Sequence, residues 1–334
     1  MDEVVKIIND IKAGNIKPIY FLMGEEPYYI DKLTEYIEDN VLLEDEKGFN
    51  QMVIYGRDTS VDEIVSNAKR YPMMADRQVV IVKEAQELAR TIDKLESYIE
   101  NPQPTTVLVI AYKYKTVDKR KKWVKSIDKT GVLFESQKLR EYKVGEWVKR
   151  VLQGRGYGIE PKAMLMLVEY LGNDLSRIAN ELTKLEIILP KGSVITPHHI
   201  EENIGISKDY NVFELVNAIA IRDTLKAFQI ADYFEKNPKD HSIIVVIPSV
   251  FKLFTNMMRV HFAPNKSPEA IASSVGLHPF VAKELIRNCP NYPPKVLARN
   301  VEILHNYDLK AKGVGNSSTS DGQLLKEMLV QILN

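Results

Sequence analysis

The hydrophobic residues of the first third of the chain fall into short unbroken runs, and the segments between those runs carry apolar residues at helical spacing. PIYFLMG (Pro18 to Gly24), QMVIYG (Gln51 to Gly56), QVVIV (Gln78 to Val82), TTVLVIAY (Thr105 to Tyr112) and GVLFES (Gly131 to Ser136) are short, nearly all-apolar and rich in β-branched or aromatic residues. Strands apolar on both sides are buried on both sides, so the five predict a parallel sheet covered by helices on either face. Between them, YYIDKLTEYIEDNVL places Ile30, Leu33, Ile37 and Val41 on one helical face. Val61, Ile64, Val65 and Ala68 form a second stripe behind Ser60, with Glu63 three residues on as a capping box. Pro72 disfavours helix at Tyr71 and predicts a stop there. Further helices are expected from about Glu87 to Ile99 and, strongly basic, from Lys119.

Strand patterns then largely cease. From about Leu139 the spacing predicts helices over Glu146 to Leu152, Pro161 to Leu171 and Asp174 to Leu189. Another runs from Thr196 to Ile204, with Thr196 as N-cap and Pro197 in the first turn. SKDYN (Ser207 to Asn211) reads as a polar linker. Beyond it, helices are expected over Val212 to Lys236, Ser242 to Phe262, Pro268 to Val275, Pro279 to Arg287, Pro294 to Leu309 and Gly322 to Leu333. KGVGNSSTSDG (Lys312 to Gly322) is a low-complexity segment and reads as a mobile loop.

Composition narrows the picture by what it removes. The 334 residues, 45% of them hydrophobic, are enough for two or three domains. Forty-five basic and 45 acidic residues cancel, so any attraction to nucleic acid must come from local patches. Cys289 is the only cysteine, which rules out an internal disulfide and a cysteine-based zinc site. Of six histidines only His198 and His199 adjoin, and neighbours in sequence point apart, so no metal site is expected. The start, MDEVVKIINDI, lacks the pattern of a secretory signal. The apolar stretch IIVVIPSVF is interrupted by Pro248 and is far short of the roughly 20 residues a membrane span needs. A cytoplasmic protein with no membrane contact is the expectation.

A parallel α/β domain followed by helices suggests a nucleotide-binding engine, and the loop after the first strand tests that. Phosphate binding needs glycines that free backbone N–H groups, a lysine, and a hydroxyl for magnesium. The loop here reads GEEPYYIDK: Gly24 is present, no second glycine or Lys-Ser/Thr pair follows, and Glu25 and Glu26 would repel a triphosphate. After the third strand comes Lys83, which cannot ligate magnesium, then Glu84. Neither half of an ATP site is intact. No nucleophile elbow, Cys–His pair or zinc-protease motif occurs. No catalytic residue, cofactor or metal is therefore expected.

Two segments remain unexplained by fold alone. RYPMMADRQVVIV puts Met73 and Met74 between a helix end and a strand start, where connections are usually polar. Such methionines either plug the core or await burial by something else. KYKTVDKRKKWVK carries Lys113, Lys115, Lys119, Arg120, Lys121, Lys122 and Lys125 against one acid, Asp118. It is either a solvated helix face or a contact for DNA phosphates, and Trp123 is expected to pack inward.

Three passages resemble the delta-subunit family of the bacterial DNA polymerase III clamp loader: PIYFLMGEEPYYIDKL, YPMMADRQVVIVKEA and LGNDLSRIANELTKLEI (Leu171 to Ile187), with LHNYDLKAKG (Leu304 to Gly313) a weaker fourth. The resemblance implies an α/β, AAA+-like domain with a degenerate nucleotide site (residues 1–140), a small helical lid (141–210) and an all-α collar for oligomerisation (211–334). It implies a subunit without catalysis of its own that binds and opens the sliding clamp (beta) on primed DNA. Its companions would be the tau/gamma ATPase subunits and delta-prime. It makes Met73 and Met74 the clamp-binding pair, where the family usually has leucine and phenylalanine. Pro72 then stiffens the approach, and Asp76 and Arg77 form a polar rim. Lys119, Arg120, Lys121, Lys122, Lys310 and Lys312 become DNA-facing candidates. Arg177 is expected in a structural ion pair. Two other classes stay open on the residues alone: an ATPase with an atypical site, and a stand-alone DNA-binding scaffold.

Overall fold

All five expected strands form, because each is a β-branched or aromatic run bounded by turn residues. In the computed structural model, residues 2–334 are described apart from Ile206, Lys208, Lys239, Asp240, His278 and Ser317. The expected linker and the low-complexity segment thus each contain one residue, Lys208 and Ser317, outside the described set. The chain divides into two compact units, residues 1–139 and 140–334.

In the first unit the elements run α1 (Asp2–Lys12), β1 (Ile19–Gly24), α2 (Pro27–Asn40), α3 (Glu44–Asn50), β2 (Gln51–Tyr55) and α4 (Val61–Ala68). They continue with β3 (Gln78–Lys83), α5 (Glu96–Ile99), β4 (Thr106–Lys113), α6 (Lys122–Thr130) and β5 (Val132–Ser136). The strands pair in parallel in the order β2-β3-β4-β1-β5. Alternate residues feed two cores, as a pleated strand requires. Ile19, Phe21, Met23, Val80, Val82, Leu108 and Ile110 pack with α4 and α6 on one face. Tyr20, Leu22, Val79, Ile81, Val107 and Val109 pack with α1 and α2 on the other. Trp123 points inward, edge-on to Phe21 at 5.7 Å, as expected.

Three local expectations need correction. The helix expected from Glu87 to Ile99 is two 3₁₀ turns, Ala85–Leu88 and Ile92–Leu95, before the short α5. Leu88, Ile92, Leu95 and Ile99 are buried at helix-like spacing, but Thr91 leaves the helical region and breaks the segment. The basic helix starts at Lys122 rather than Lys119, because the Asp118 carboxylate accepts the Arg120 N–H at 2.9 Å and closes a turn that competes with helix. The capping box at Ser60 is half made: Ser60 accepts the Glu63 N–H, while the Glu63 carboxylate accepts the Thr59 hydroxyl instead. The helix α3 was not expected at all.

Among the described residues, the regular structure of the second unit is helical apart from two short parallel strands. It comprises α7 (Glu141–Arg155), β6 (Gly158–Ile159), α8 (Pro161–Leu171), α9 (Leu175–Ile188), β7 (Val194–Ile195) and α10 (Pro197–Ile204). Then follow α11 (Val212–Ile221), α12 (Thr224–Lys236), α13 (Ile243–Phe262), α14 (Pro268–Val275), α15 (Pro279–Asn288), α16 (Pro294–Ala311) and α17 (Asp321–Leu333). Thr196 caps α10 through a box closed by His199. The single helix expected over Val212 to Lys236 is two, because Arg222 turns left-handed and Asp223 caps the second by accepting the Lys226 N–H. By length and composition α13 is sufficient to cross a membrane, longer than its apolar start suggested. Its stripe of Val246, Val250, Phe254, Met257 and Val260 is buried in the core that joins α11 to α17. Arg177 lies over the Tyr170 ring at 5.6 Å, a cation–π contact in place of the expected ion pair.

Candidate functional site

A nucleotide on this kind of sheet would lie at the tip of β1 against the start of α2, where helix N–H groups point outward. That position is filled by the protein itself. Glu26 is the N-cap of α2, only 3% exposed, and its Oε1 accepts the Tyr28 N–H at 3.1 Å. Pro27 has no N–H to offer. Two more N–H groups of the loop are turned onto neighbouring backbone: Gly24 N–H donates to the Lys115 carbonyl just past β4 at 3.0 Å and Glu26 N–H to the Ser136 carbonyl of β5 at 3.3 Å. Gly24 sits at φ +134°, and a Cβ there would lie 2.0 Å from the Ser136 carbonyl oxygen.

The tips of the neighbouring strands are closed by ion pairs. The Lys113 ammonium lies 2.7 Å from Asp31 and 2.8 Å from Glu84, and Lys83 lies 2.8 Å from Glu38. Burial pushes the Glu84 carboxyl up, but hydrogen bonds from Lys113 and Gln86 outweigh it and hold the group below its ordinary range. Burial likewise pulls the Lys113 ammonium down, and its two carboxylates more than restore it, leaving it above its ordinary value. Asp31 and Glu84, two of the carboxylates beside the strand ends, already share Lys113. The residues present do not fit a magnesium nucleotide.

The other candidate lies beyond α4. Residues 70–77 form a turn between α4 and β3 on which Met73 is 58% exposed and Met74 92% exposed. Tyr71 and Asp76 are also exposed, and Pro72 and Arg77 are half-buried. Neither methionine plugs the core. Met74 adopts φ +53°, a left-handed backbone uncommon for a non-glycine residue. The turn is held by Asn50, 5% exposed at the end of α3. Met73 N–H donates to Asn50 Oδ1 at 2.6 Å, and Asn50 Nδ2 donates to the Met73 carbonyl at 2.9 Å. Arg77 donates to the Ile16 carbonyl at 3.4 Å, which ties the far side of the turn to the segment before β1. Asn50 was invisible to sequence reasoning: it is 23 residues from its partner, and nothing in its neighbourhood distinguishes it.

The cations expected to face DNA are at the surface, and each makes an internal contact. Lys119 pairs with Glu135, Arg120 with Asp118 at 2.8 Å, Lys121 with Asp93 at 2.5 Å and Lys122 with Glu100 at 2.8 Å. In the second unit Lys312 pairs with Asp308 at 2.6 Å, and Lys310 lies 4.6 Å above the centre of the Tyr307 ring.

A parallel α/β module of AAA+-like architecture, with its phosphate loop closed by its own carboxylate and followed by a helical unit, defines a class: nucleotide-engine folds without the nucleotide grip. Comparison with known proteins makes this specific. Residues 20–137 match the family model of the DNA polymerase III delta subunit, and residues 209–332 match that of its C-terminal domain. The DNA polymerase III subunit delta of Bacillus subtilis is 27% identical over 342 residues, covering 99% of this chain and 97% of that one. A probable DNA polymerase III subunit delta of Aquifex aeolicus is 21% identical over 225 residues, 64% of this chain and 63% of that one. The solved structure of the Bacillus subtilis DNA clamp loader delta protein covers 99% of both chains with a TM-score of 0.56 and 26% identity. The chain belongs to the DNA polymerase III delta-subunit family. It is a non-catalytic clamp-loader subunit, and polymerase activity belongs to the holoenzyme rather than to this chain.

Proposed function

We propose that this chain is the arm of the clamp loader that binds the sliding clamp (beta) and opens it for loading on primed DNA, with Met73 and Met74 as the clamp-contacting pair. The observation that carries this is the pair itself: two large apolar side chains held out to solvent on a turn pinned from behind. Pro72 limits the turn's freedom, and Asp76 and Arg77 border it. Such an arm opens a ring only by binding its open form more tightly than its closed form. In this assignment residues 141–210 act as a small helical lid. Residues 211–334 form the collar that joins the tau/gamma ATPase subunits and delta-prime. The work is cytoplasmic and needs no membrane.

Lys119, Arg120, Lys121 and Lys122 in the first unit, and Lys310 and Lys312 in the second, are each assigned to primed DNA inside the assembly. Contact with phosphate there exchanges an internal partner for an external one, so each cation contributes little, and duplex affinity of the isolated chain is weak.

The test is replacement of both methionines by alanine, with clamp affinity measured by calorimetry and loader assembly by size exclusion. Full burial of one such side chain contributes about 1.5–3 kcal/mol. Since Met73 is already partly covered, the double change raises Kd about thirtyfold or more and leaves assembly intact. Unchanged clamp affinity would remove the assignment.

A further inference from the structure

We infer that the clamp-facing site has a second apolar foot on α3, centred on Phe49. The inference rests on the assignment of the Met73–Met74 turn to the sliding clamp and extends it to a surface that the turn alone does not include.

Three observations carry it. Phe49 is 71% exposed, an unusual position for a phenylalanine, and Leu43 at the other end of α3 is exposed too. Asn50, the very next residue, is the one whose side chain grips the Met73 backbone through two hydrogen bonds. Consecutive Cα atoms are about 3.8 Å apart, so Phe49 lies within roughly 10–12 Å of the turn. Helix geometry rotates its side chain about 100° from that of Asn50, placing it beside the turn rather than beneath it. A body seated on Met73 and Met74 therefore reaches Phe49 without any change in this chain.

Size argues the same way. A stable protein interface engages about 20–30 residues a side, and residues 70–77 cannot supply that alone. Within such an interface a largely exposed aromatic side chain becomes an anchor once covered, at little ordering cost because it has two side-chain torsions. The occupant is the same clamp: an apolar pocket receives the two thioethers, and an adjoining apolar shelf receives the Phe49 ring. Asn50 fixes the spacing between the two contacts, so turn and helix are presented as one rigid surface.

The experiment uses the full-length chain and its purified sliding clamp. Clamp Kd and thermal unfolding are measured for wild type, Phe49→Ala, Phe49→Trp and the Met73→Ala/Met74→Ala double variant. Expected for Phe49→Ala is a Kd raised about tenfold or more with an unchanged melting temperature, since the side chain is exposed in the free protein. Phe49→Trp retains near-normal affinity. If Phe49→Ala stays within about twofold of wild type while the double methionine variant no longer binds, the second foot is wrong and the turn assignment stands. If the double methionine variant binds normally, the turn assignment fails and this inference falls with it.

Discussion

Asn50→Ala is the most informative single change, because it leaves every exposed contact residue in place and alters only how the turn is held. The substitution removes two hydrogen bonds to the Met73 backbone, at 2.6 and 2.9 Å, and a weaker one from Asn50 Nδ2 to the Glu46 carbonyl at 3.2 Å. A bond of this kind contributes about 0.5–1.5 kcal/mol net. Met73 is more than half exposed, so water can take over part of what is lost, and the global cost comes to about 1–2 kcal/mol. The local effect is larger in kind. Met74 at φ +53° carries about 1 kcal/mol of backbone strain that the Asn50 clasp offsets. Released, the turn leaves the left-handed region and the two thioethers are no longer presented together. If 1–2 kcal/mol separates the presenting conformer from the relaxed ensemble, apparent clamp affinity falls about 5–30-fold. Urea denaturation measures the first effect, calorimetry with the clamp the second, and hydrogen exchange of the Met73 amide the release itself. Asn50→Asp, which keeps the acceptor for Met73 N–H but loses the donor to its carbonyl, falls between. A variant that loses the expected stability yet binds the clamp as tightly as wild type, or one whose Met73 amide stays protected, would refute the reasoning.

Two further outcomes probe the closed nucleotide site. Gly24→Ala forces a methyl group to 2.0 Å from the Ser136 carbonyl at a φ that side chains rarely adopt, so destabilisation of about 3 kcal/mol or more is expected in thermal or urea unfolding. Lys113→Met leaves Asp31 and Glu84 facing each other without their cation and costs about 1–2 kcal/mol near neutrality, discounted from the fully buried case because both acids are partly exposed. The sign of its pH dependence follows from Glu84, whose folded pKa lies below the ordinary 4.5. That contribution is present above about 4.5 and disappears as pH falls through the depressed folded value. Wild type and variant therefore converge in stability as the pH is lowered through that depressed folded value. Lys113, whose pKa is raised, adds stability below its ordinary value of 10.5 and loses it as pH rises beyond. A gap between the two proteins that widens in acid would contradict the pairing.

What the sequence revealed and what it hid divide along physical lines. The sheet was legible because runs such as Val79 to Val82 and Val107 to Ala111 are apolar on both faces, a pattern that few other structures share. The loss of the phosphate loop was legible because that loop depends on residue types at fixed spacing. How the loop is closed was not, since it depends on Gly24 and Glu26 donating to carbonyls more than 90 residues away. The break at Arg222 escaped because Val212 to Lys236 keeps an apolar stripe across it, although Asp223 before Thr224 is itself a capping signal. At the candidate site the two methionines stood out as apolar residues in a turn. Their support did not: Asn50 and Phe49 lie in a seven-residue helix, too short for its periodicity to register.

The plugged start of α2 also bears on timing. A protein that binds no adenylate has no linkage to the ATP/ADP ratio, so its own conformational free energy is the same before and after hydrolysis elsewhere. In an assembly of otherwise cycling partners, such a member is a fixed reference. On the proposed assignment of the Met73–Met74 turn to the sliding clamp, the moment at which that surface becomes available is then decided by a neighbour that covers or uncovers it, not by the chain that bears it.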